Sequence, residues 1–266
     1  MSEHERHIPF ERVLNFRDLG GYRAADGRAV RWRRLFRSDA PGNMSETDER
    51  KAREELGIVT VIDLREPAIV ERGGVASFVE PESLHHIPLL NDAEVRDYAD
   101  RRRNVPSTGW YLEILRSAGS ADGVPRAFSL LAEPSNYPLV FHCSVGKDRA
   151  GVFAAVVLGA LGIDDEQILQ DFEVSEQYLM PMWERMQEAQ RQRAEGERGT
   201  TPSADGALQP QWDADAYSKD TFASPREWMA GVIEELTREH GSVRGYVESQ
   251  GVDAATIDRV ADLLLE

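Results

Sequence analysis

The stretch Leu139-Val140-Phe141-His142-Cys143-Ser144-Val145-Gly146-Lys147-Asp148-Arg149-Ala150-Gly151 decides how the rest of the chain is read. Leu139 to His142 is a short apolar run of strand type, and the apolar run from Ala150 to about Leu161 reads as a buried helix. Between them lies a Cys-x5-Arg loop, Cys143 to Arg149. A cysteine placed before a helix N-terminus sits among backbone N–H groups that lack intrahelical partners, at the positive end of the helix dipole, and both stabilise a thiolate. The same N–H groups, in the run Ser144-Val145-Gly146, form a nest for a tetrahedral oxyanion. Gly146 permits the tight backbone such a nest requires. Arg149 closes the site with a planar fork suited to two phosphate oxygens. The loop therefore predicts a cysteine nucleophile aimed at a bound phosphoryl group, with no metal or other cofactor called for.

Working outward, strands and helices alternate, which argues for an α/β fold with a parallel sheet covered on both faces. Arg33 to Arg37 reads as a strand after the Asp26-Gly27 turn, and Ile58 to Asp63 as a buried β-branched strand. His85 to Leu90 is a further strand candidate. Ser45 to Leu56 reads as a helix with Ser45 as its N-cap and Asp48 three residues on. Residues 108–118 and 124–133 are helical in pattern. Asp164 with Gln167 makes a capping box for one helix over roughly 165–188. From Gln190 to Gln211 the only large apolar side chain is Leu208, so this segment is expected to be mobile. Ser224-Pro225 reads as an N-cap and N1 pair that opens the final helices.

Composition narrows the function classes. Among 266 residues, 31 Lys and Arg stand against 47 Asp and Glu, a net charge of −16. Residues 1–60 hold 12 basic and 11 acidic side chains, net +1, which leaves −17 for the remainder. Such a surface repels polyanions, which disfavours nucleic-acid and anionic-membrane binding. The longest run free of polar side chains, Ala150 to Ile163, is 14 residues, too short to span a bilayer. The first residues lack the apolar stretch of a signal peptide, so the expected location is the cytoplasm, or the exterior by a route without such a peptide. One cysteine excludes an intramolecular disulfide and a Cys-based structural zinc site. His85 and His86 have no metal-ligand companions at useful spacing and read as strand or surface residues. Nothing in the sequence assigns an oligomeric state.

Asp63 ends a strand at its C-terminal side, where open α/β sheets place ligands, so it is a candidate for substrate binding. Pairing with a nearby arginine such as Arg65 or Arg37 is the other reading of the same residue.

The chain resembles the atypical bacterial tyrosine or lipid phosphatases that carry the loop H-C-x-x-G-K-D-R-T-G. The resemblance extends to Asn15-Phe16-Arg17-Asp18-Leu19-Gly20-Gly21-Tyr22, Leu35-Phe36-Arg37-Ser38-Asp39, Val61-Ile62-Asp63-Leu64-Arg65 and Gly241-Ser242-Val243-Arg244-Gly245-Tyr246, which span most of the chain. It implies a single phosphatase domain over 1–266, with a parallel sheet flanked by helices and a helical, lid-like insertion over 176–230. Cys143 would attack phosphorus to form a cysteinyl-phosphate, Arg149 would hold the non-bridging oxygens, and Asp148 would serve as general acid and then base. Other tyrosine phosphatases carry that Asp on a separate loop, so Asp92, Asp97 and Asp100 remain rivals, and Asp63 is a third possibility. Lys147 lies where a second substrate phosphate could bind, which in this family accompanies activity on phosphoinositides as well as phosphotyrosine proteins. The same Lys147 also reads as an ordinary solvated loop residue.

Leu179, Met180, Met182, Trp183 and Met186 offer an apolar face at helical spacing within the insertion, and Trp212, Tyr217, Phe222 and Trp228 are available for its docking. One departure stands out, because Ala150 replaces the family's Thr. A hydroxyl there can donate to the sulfur of the departing thiolate, so its loss is expected to slow breakdown of the intermediate more than its formation.

Overall fold

Among the described residues, five short strands form one sheet in the order β1-β2-β5-β3-β4: β1 (Arg17–Asp18), β2 (Leu35–Ser38), β3 (Thr60–Asp63), β4 (Leu84–His86) and β5 (Leu139–His142). In this computed structural model, residues 5–91, 107–194, 219 and 222–266 are described. The short edge strand β1 runs antiparallel to β2, and all other pairs are parallel. Side chains alternate across the sheet with the strand period of two. Leu35, Ile62, Leu139 and Phe141 enter one core, while Phe36, Val61 and Val140 enter the other. Both faces are therefore covered, as the unbroken apolar strands require.

The larger core is built on α5 (Asp148–Ala160), whose residues from Ala150 to Leu158 are all buried. Phe153 of α5 meets Phe141 of β5 edge-on, with ring centroids 4.9 Å apart. Around α5 lie α3 (Thr108–Leu115), α4 (Ala118–Leu131), α6 (Asp165–Glu173), α8 (Arg226–His240), α9 (Val243–Ser249) and α10 (Ala254–Leu264). The smaller core lies under α1 (Glu46–Arg50) and the π-helical turn that follows it, Lys51–Glu55. Two further helices among the described residues are α2 (Pro67–Gly73) and α7 (Ser175–Ala194). The C-terminal Gly-Ser-x-x-x-Tyr stretch is structural. Ser242 caps α9 by accepting from Gly245 N, and the buried Tyr246 hydroxyl donates to Leu115 O at 2.8 Å.

Several expectations shift at their edges. The fourth strand stops at His86 rather than Leu90, because Pro88 lacks the N–H that would extend the ladder. The helix expected from residue 124 starts at Ala118, where Ser117 accepts from Ser120 N. The helix after the cysteine loop begins at Asp148, two residues before Ala150. The single helix over 165–188 is two, parted at Val174. The junction is braced by Arg17, whose guanidinium donates to Asp171 O at 2.7 Å and to Ser175 Oγ at 2.9 Å. At the last boundary Pro225, not Ser224, is the N-cap, and the Ser224 N–H donates to Glu176 Oε2 instead.

The register aligns Ser38, His142 and Asp63 in one row across β2, β5 and β3. The loops that leave these three strands, at 39–44, 143–147 and 64–66, therefore emerge side by side at the C-terminal edge of the sheet. That edge is where open α/β sheets bind their ligands.

Candidate active site

Cys143 lies at the end of β5, fully buried, immediately before the loop that leads into α5. The next four carbonyls are each taken up from outside the loop. Ser144 O accepts from Ala40 N at 3.2 Å, Val145 O from Asn15 Nδ2 at 3.0 Å, and Gly146 O and Lys147 O from Arg37 at 2.6 and 3.4 Å. In a trans peptide the N–H points opposite to the preceding C=O. Fixing these carbonyls therefore turns the N–H groups of Val145, Gly146, Lys147 and Asp148 to the other face of the loop. Successive N–H groups on one face are the arrangement that an anion nest requires. Gly146 adopts φ +70°, and a Cβ there would fall 2.6 Å from Asp39 N, so no other residue fits. Gly151 is needed for a second reason: a Cβ there would crowd Phe172 and the Arg37 guanidinium that holds the loop carbonyls.

Behind the loop, two arginines converge on one buried carboxylate. Arg17 Nε reaches Asp171 Oδ1 at 2.9 Å, and Arg37 pairs with Asp171 Oδ2. Burial alone would raise the Asp171 carboxyl, but Arg17 and Arg37 outweigh it and hold the group down to about 2. Burial and the like charge of Arg17 pull Arg37 down to about 10, which leaves it charged at neutral pH. Asn15 completes the assembly, since its side-chain oxygen receives Arg17 while its Nδ2 holds Val145 O. Asp39 anchors Asn15 in turn, accepting from Leu14 N and Asn15 N at 3.1 and 3.0 Å.

Arg149 stands in the first turn of α5, with its guanidinium paired to Glu66 and donating to Ser144 Oγ at 3.2 Å. Burial opposes its charge, but Glu66, Cys143 and Asp148 together hold it above its ordinary value. The fork is thus fixed by a carboxylate from the β3–α2 connection. Asp148 accepts from the Tyr111 hydroxyl at 2.8 Å, and Lys147 Nζ lies 3.4 Å from the same oxygen. Lys147 is fully buried rather than solvated, and its ammonium donates to Ala223 O at 2.9 Å, 6.0 Å from the Trp228 ring centroid. Its position therefore serves the segment before α8 and the neighbouring Asp148. Burial lowers the Lys147 ammonium from its ordinary value, against the pull of Asp148.

Asp63 is engaged by Arg65, which grips it from Nε at 2.8 Å and Nη2 at 2.5 Å, the arginine pairing that its position also allowed. Burial would raise this carboxyl, but His142 and Arg65 hold it low. His142 is buried, which lowers its pKa, and its Nδ1 lies 3.2 Å from Cys143 O. It therefore braces the loop from beneath. His86 Nε2 lies 2.7 Å from Arg65 O, part of the same scaffold.

Leu179 and Phe222 are buried against Val145, Met180, Met182 and Trp183, which places α7 and the segment before α8 on the cysteine loop. Residues 190–194 are the last turn of α7, whereas 195–211, Trp212 and Tyr217 lie outside the described residues. Asp92, Asp97 and Asp100, the rival acids, also lie outside them, as does the side chain of Met186.

Three participants went unread in the sequence: Glu66, Tyr111 and Asp171. Only Asp171 carried a signal. It falls three residues after Ile168 and one before Phe172, a charged residue at a core position of an amphipathic helix.

A family model described as "Tyrosine phosphatase family" matches residues 8–266. The chain is 26% identical over 282 residues to the triple specificity protein phosphatase PtpB of Mycobacterium tuberculosis, covering 94% of this chain and 96% of that protein. H16_A0669 of Cupriavidus necator, named for the tyrosine-protein phosphatases, is 30% identical over 177 residues, covering 65% of this chain and 64% of that one. Among solved structures, the core catalytic domain of the PP-IP phosphatase SIW14 from S. cerevisiae overlaps 63% of this chain and 77% of that one, at 14% identity and a TM-score of 0.36.

Proposed function

The chain belongs to the tyrosine phosphatase family, cysteine-dependent hydrolases of phosphate monoesters, and on that premise we propose that phosphotyrosine is its substrate and assign the steps to residues. The Cys143 thiolate attacks phosphorus and forms the S–P bond as the bond to the leaving oxygen breaks. Asp148 gives its proton to that oxygen. The loop N–H groups and Arg149 take the negative charge on the non-bridging oxygens. Water then attacks the cysteinyl-phosphate while Asp148 recovers a proton from it, the S–P bond breaks, and the thiolate is restored with release of phosphate. The supporting observation is the outward capture of four successive loop carbonyls beside Cys143, with Arg149 anchored by Glu66.

The substrate class is argued from Lys147. Its ammonium is committed to Ala223 O and Asp148, so a second phosphate of a phosphoinositide does not have it on offer in this arrangement. We read the whole chain as one catalytic domain, with α7 and the Phe222–Ser224 segment as a cover over the loop.

The test is hydrolysis of p-nitrophenyl phosphate, a phosphotyrosine peptide and a phosphoinositide by the wild type and Cys143→Ser, with and without EDTA. Turnover is expected to survive EDTA, to vanish in Cys143→Ser, and to favour the peptide. Preference for the phosphoinositide would overturn the substrate class. Binding of phosphopeptide without turnover would overturn the hydrolytic reading.

Ala150 gives a second expected outcome. It is buried in the first turn of α5, one residue after Arg149. With no hydroxyl to stabilise the departing sulfur, the cysteinyl-phosphate should accumulate. A pre-steady-state burst with p-nitrophenyl phosphate is therefore expected in the wild type and a smaller one in Ala150→Thr. Equal bursts in two equally folded proteins would contradict this role.

A further inference from the structure

Tyr111 sits on α3, fully buried, with its ring edge-on to Phe172 and Trp228 at centroid distances of 5.6 and 6.3 Å. Those two rings come from α6 and α8, so the phenol is held from three helices. The α3–α8 contact is itself fixed, since Thr108 Oγ1 donates to Trp228 O at 2.9 Å. From this rigid mount the Tyr111 hydroxyl reaches across to α5 and donates to Asp148 Oδ1 at 2.8 Å. Lys147 Nζ stands 3.4 Å from the same oxygen. Two donors therefore face Oδ1, while Oδ2 has no partner among the described residues. The Asp148 side chain retains 19% exposure, in contrast to the fully buried tyrosine and lysine around it.

A carboxylic acid that donates a proton in catalysis must carry it on a definite oxygen facing the leaving group. An oxygen whose lone pairs already accept from two donors is a poor place for that proton. We infer that Tyr111 is a positioning residue for the general acid: by occupying Oδ1 of Asp148 it leaves the transferable proton on Oδ2 and fixes the carboxyl plane toward the substrate. This inference rests on the reading of Asp148 as the acid. The buried phenol costs little conformational freedom to hold in place, because packing from α6 and α8 already sets its ring.

Leaving-group dependence separates this role from a merely structural one. A poor leaving group such as phenol requires protonation as the P–O bond breaks, whereas dinitrophenolate leaves largely unaided. The measurement is kcat/KM for phenyl phosphate and for dinitrophenyl phosphate in the wild type, Tyr111→Phe, Asp148→Asn and the double variant, with thermal stability recorded for each. The ratio of the phenyl to the dinitrophenyl substrate is expected to fall about tenfold in Tyr111→Phe, as for one lost hydrogen bond to a charged or proton-bearing group. It is expected to fall further in Asp148→Asn, and adding Tyr111→Phe to Asp148→Asn should change it no more. Equal losses on both substrates in Tyr111→Phe, with a selective loss in Asp148→Asn, would overturn the positioning role and leave the acid assignment standing. An unchanged ratio in Asp148→Asn would overturn the acid assignment and the inference together.

Discussion

Arg149→Lys, which keeps the positive charge, is expected to lower kcat/KM for p-nitrophenyl phosphate on the order of 10³-fold. Arg149 uses one edge of its guanidinium for Glu66 and reaches Ser144 Oγ with the other terminal nitrogen, so the plane of the fork is set before substrate arrives. Two phosphate oxygens can then be met by parallel N–H donors at no further cost in side-chain ordering. A lysine offers one tetrahedral ammonium on a flexible stem and cannot pair with Glu66 and clamp phosphate at once. Glu66→Gln should lose less, because the guanidinium keeps its charge and only its alignment is loosened. Steady-state kinetics on the variants decides the matter, and an Arg149→Lys enzyme within tenfold of the wild type would remove Arg149 from the proposed role.

The second large effect is on stability. Asp171→Asn leaves Arg17 and Arg37 buried side by side without a counter-charge, and breaking a buried pair in this way costs about 3 kcal/mol or more. The urea midpoint should drop accordingly, and the loss should depend on pH. Asp171 is depressed from its ordinary value of 3.8 to about 2 in the folded state, so the stability it supplies is fully present above the unfolded value. It is lost as pH falls through the folded value. The gap between wild type and Asp171→Asn should therefore be constant near neutrality and narrow as pH falls from about 4 toward 2. A gap that stays constant through that window would show that the carboxylate's charge is not what holds the two arginines. Since Arg37 also fixes Gly146 O and Lys147 O, activity in Asp171→Asn should fall at temperatures where the protein is still folded.

The parts legible in the sequence were those with local signals. The β5–loop–α5 unit could be read from thirteen consecutive residues, because strand, nest, arginine and helix follow one another along the chain. Ser45 and Asp48 form the expected capping box. The sheet's parallel character followed from unbroken apolar strands, and its two-faced core bears this out. What escaped depends on contacts between distant positions. Arg37 and Asp171 are 134 residues apart, and Arg149 and Glu66 are 83 apart. No periodicity links such pairs, even though Arg17 and Arg37 each lie in a stretch that carries the family resemblance. Lys147 escaped for a different reason. Its partner is the backbone carbonyl of Ala223, and any residue type supplies a carbonyl, so nothing in the sequence distinguishes that site. The junction at Val174 is of the same kind, since the guanidinium that meets it comes from the distant N-terminal motif.

The central claim is that phosphoryl groups pass through the sulfur of Cys143. The most direct test is to quench the reaction with p-nitrophenyl phosphate during the burst and locate the phosphoryl group by peptide mass spectrometry. Because the chain holds one cysteine, the assignment is unambiguous. The expected result is a single phosphoryl group on the peptide containing Cys143, present in the wild type, less abundant in Ala150→Thr and absent in Cys143→Ser. Turnover with no phosphoryl-enzyme, or with the group on another residue, would contradict the account.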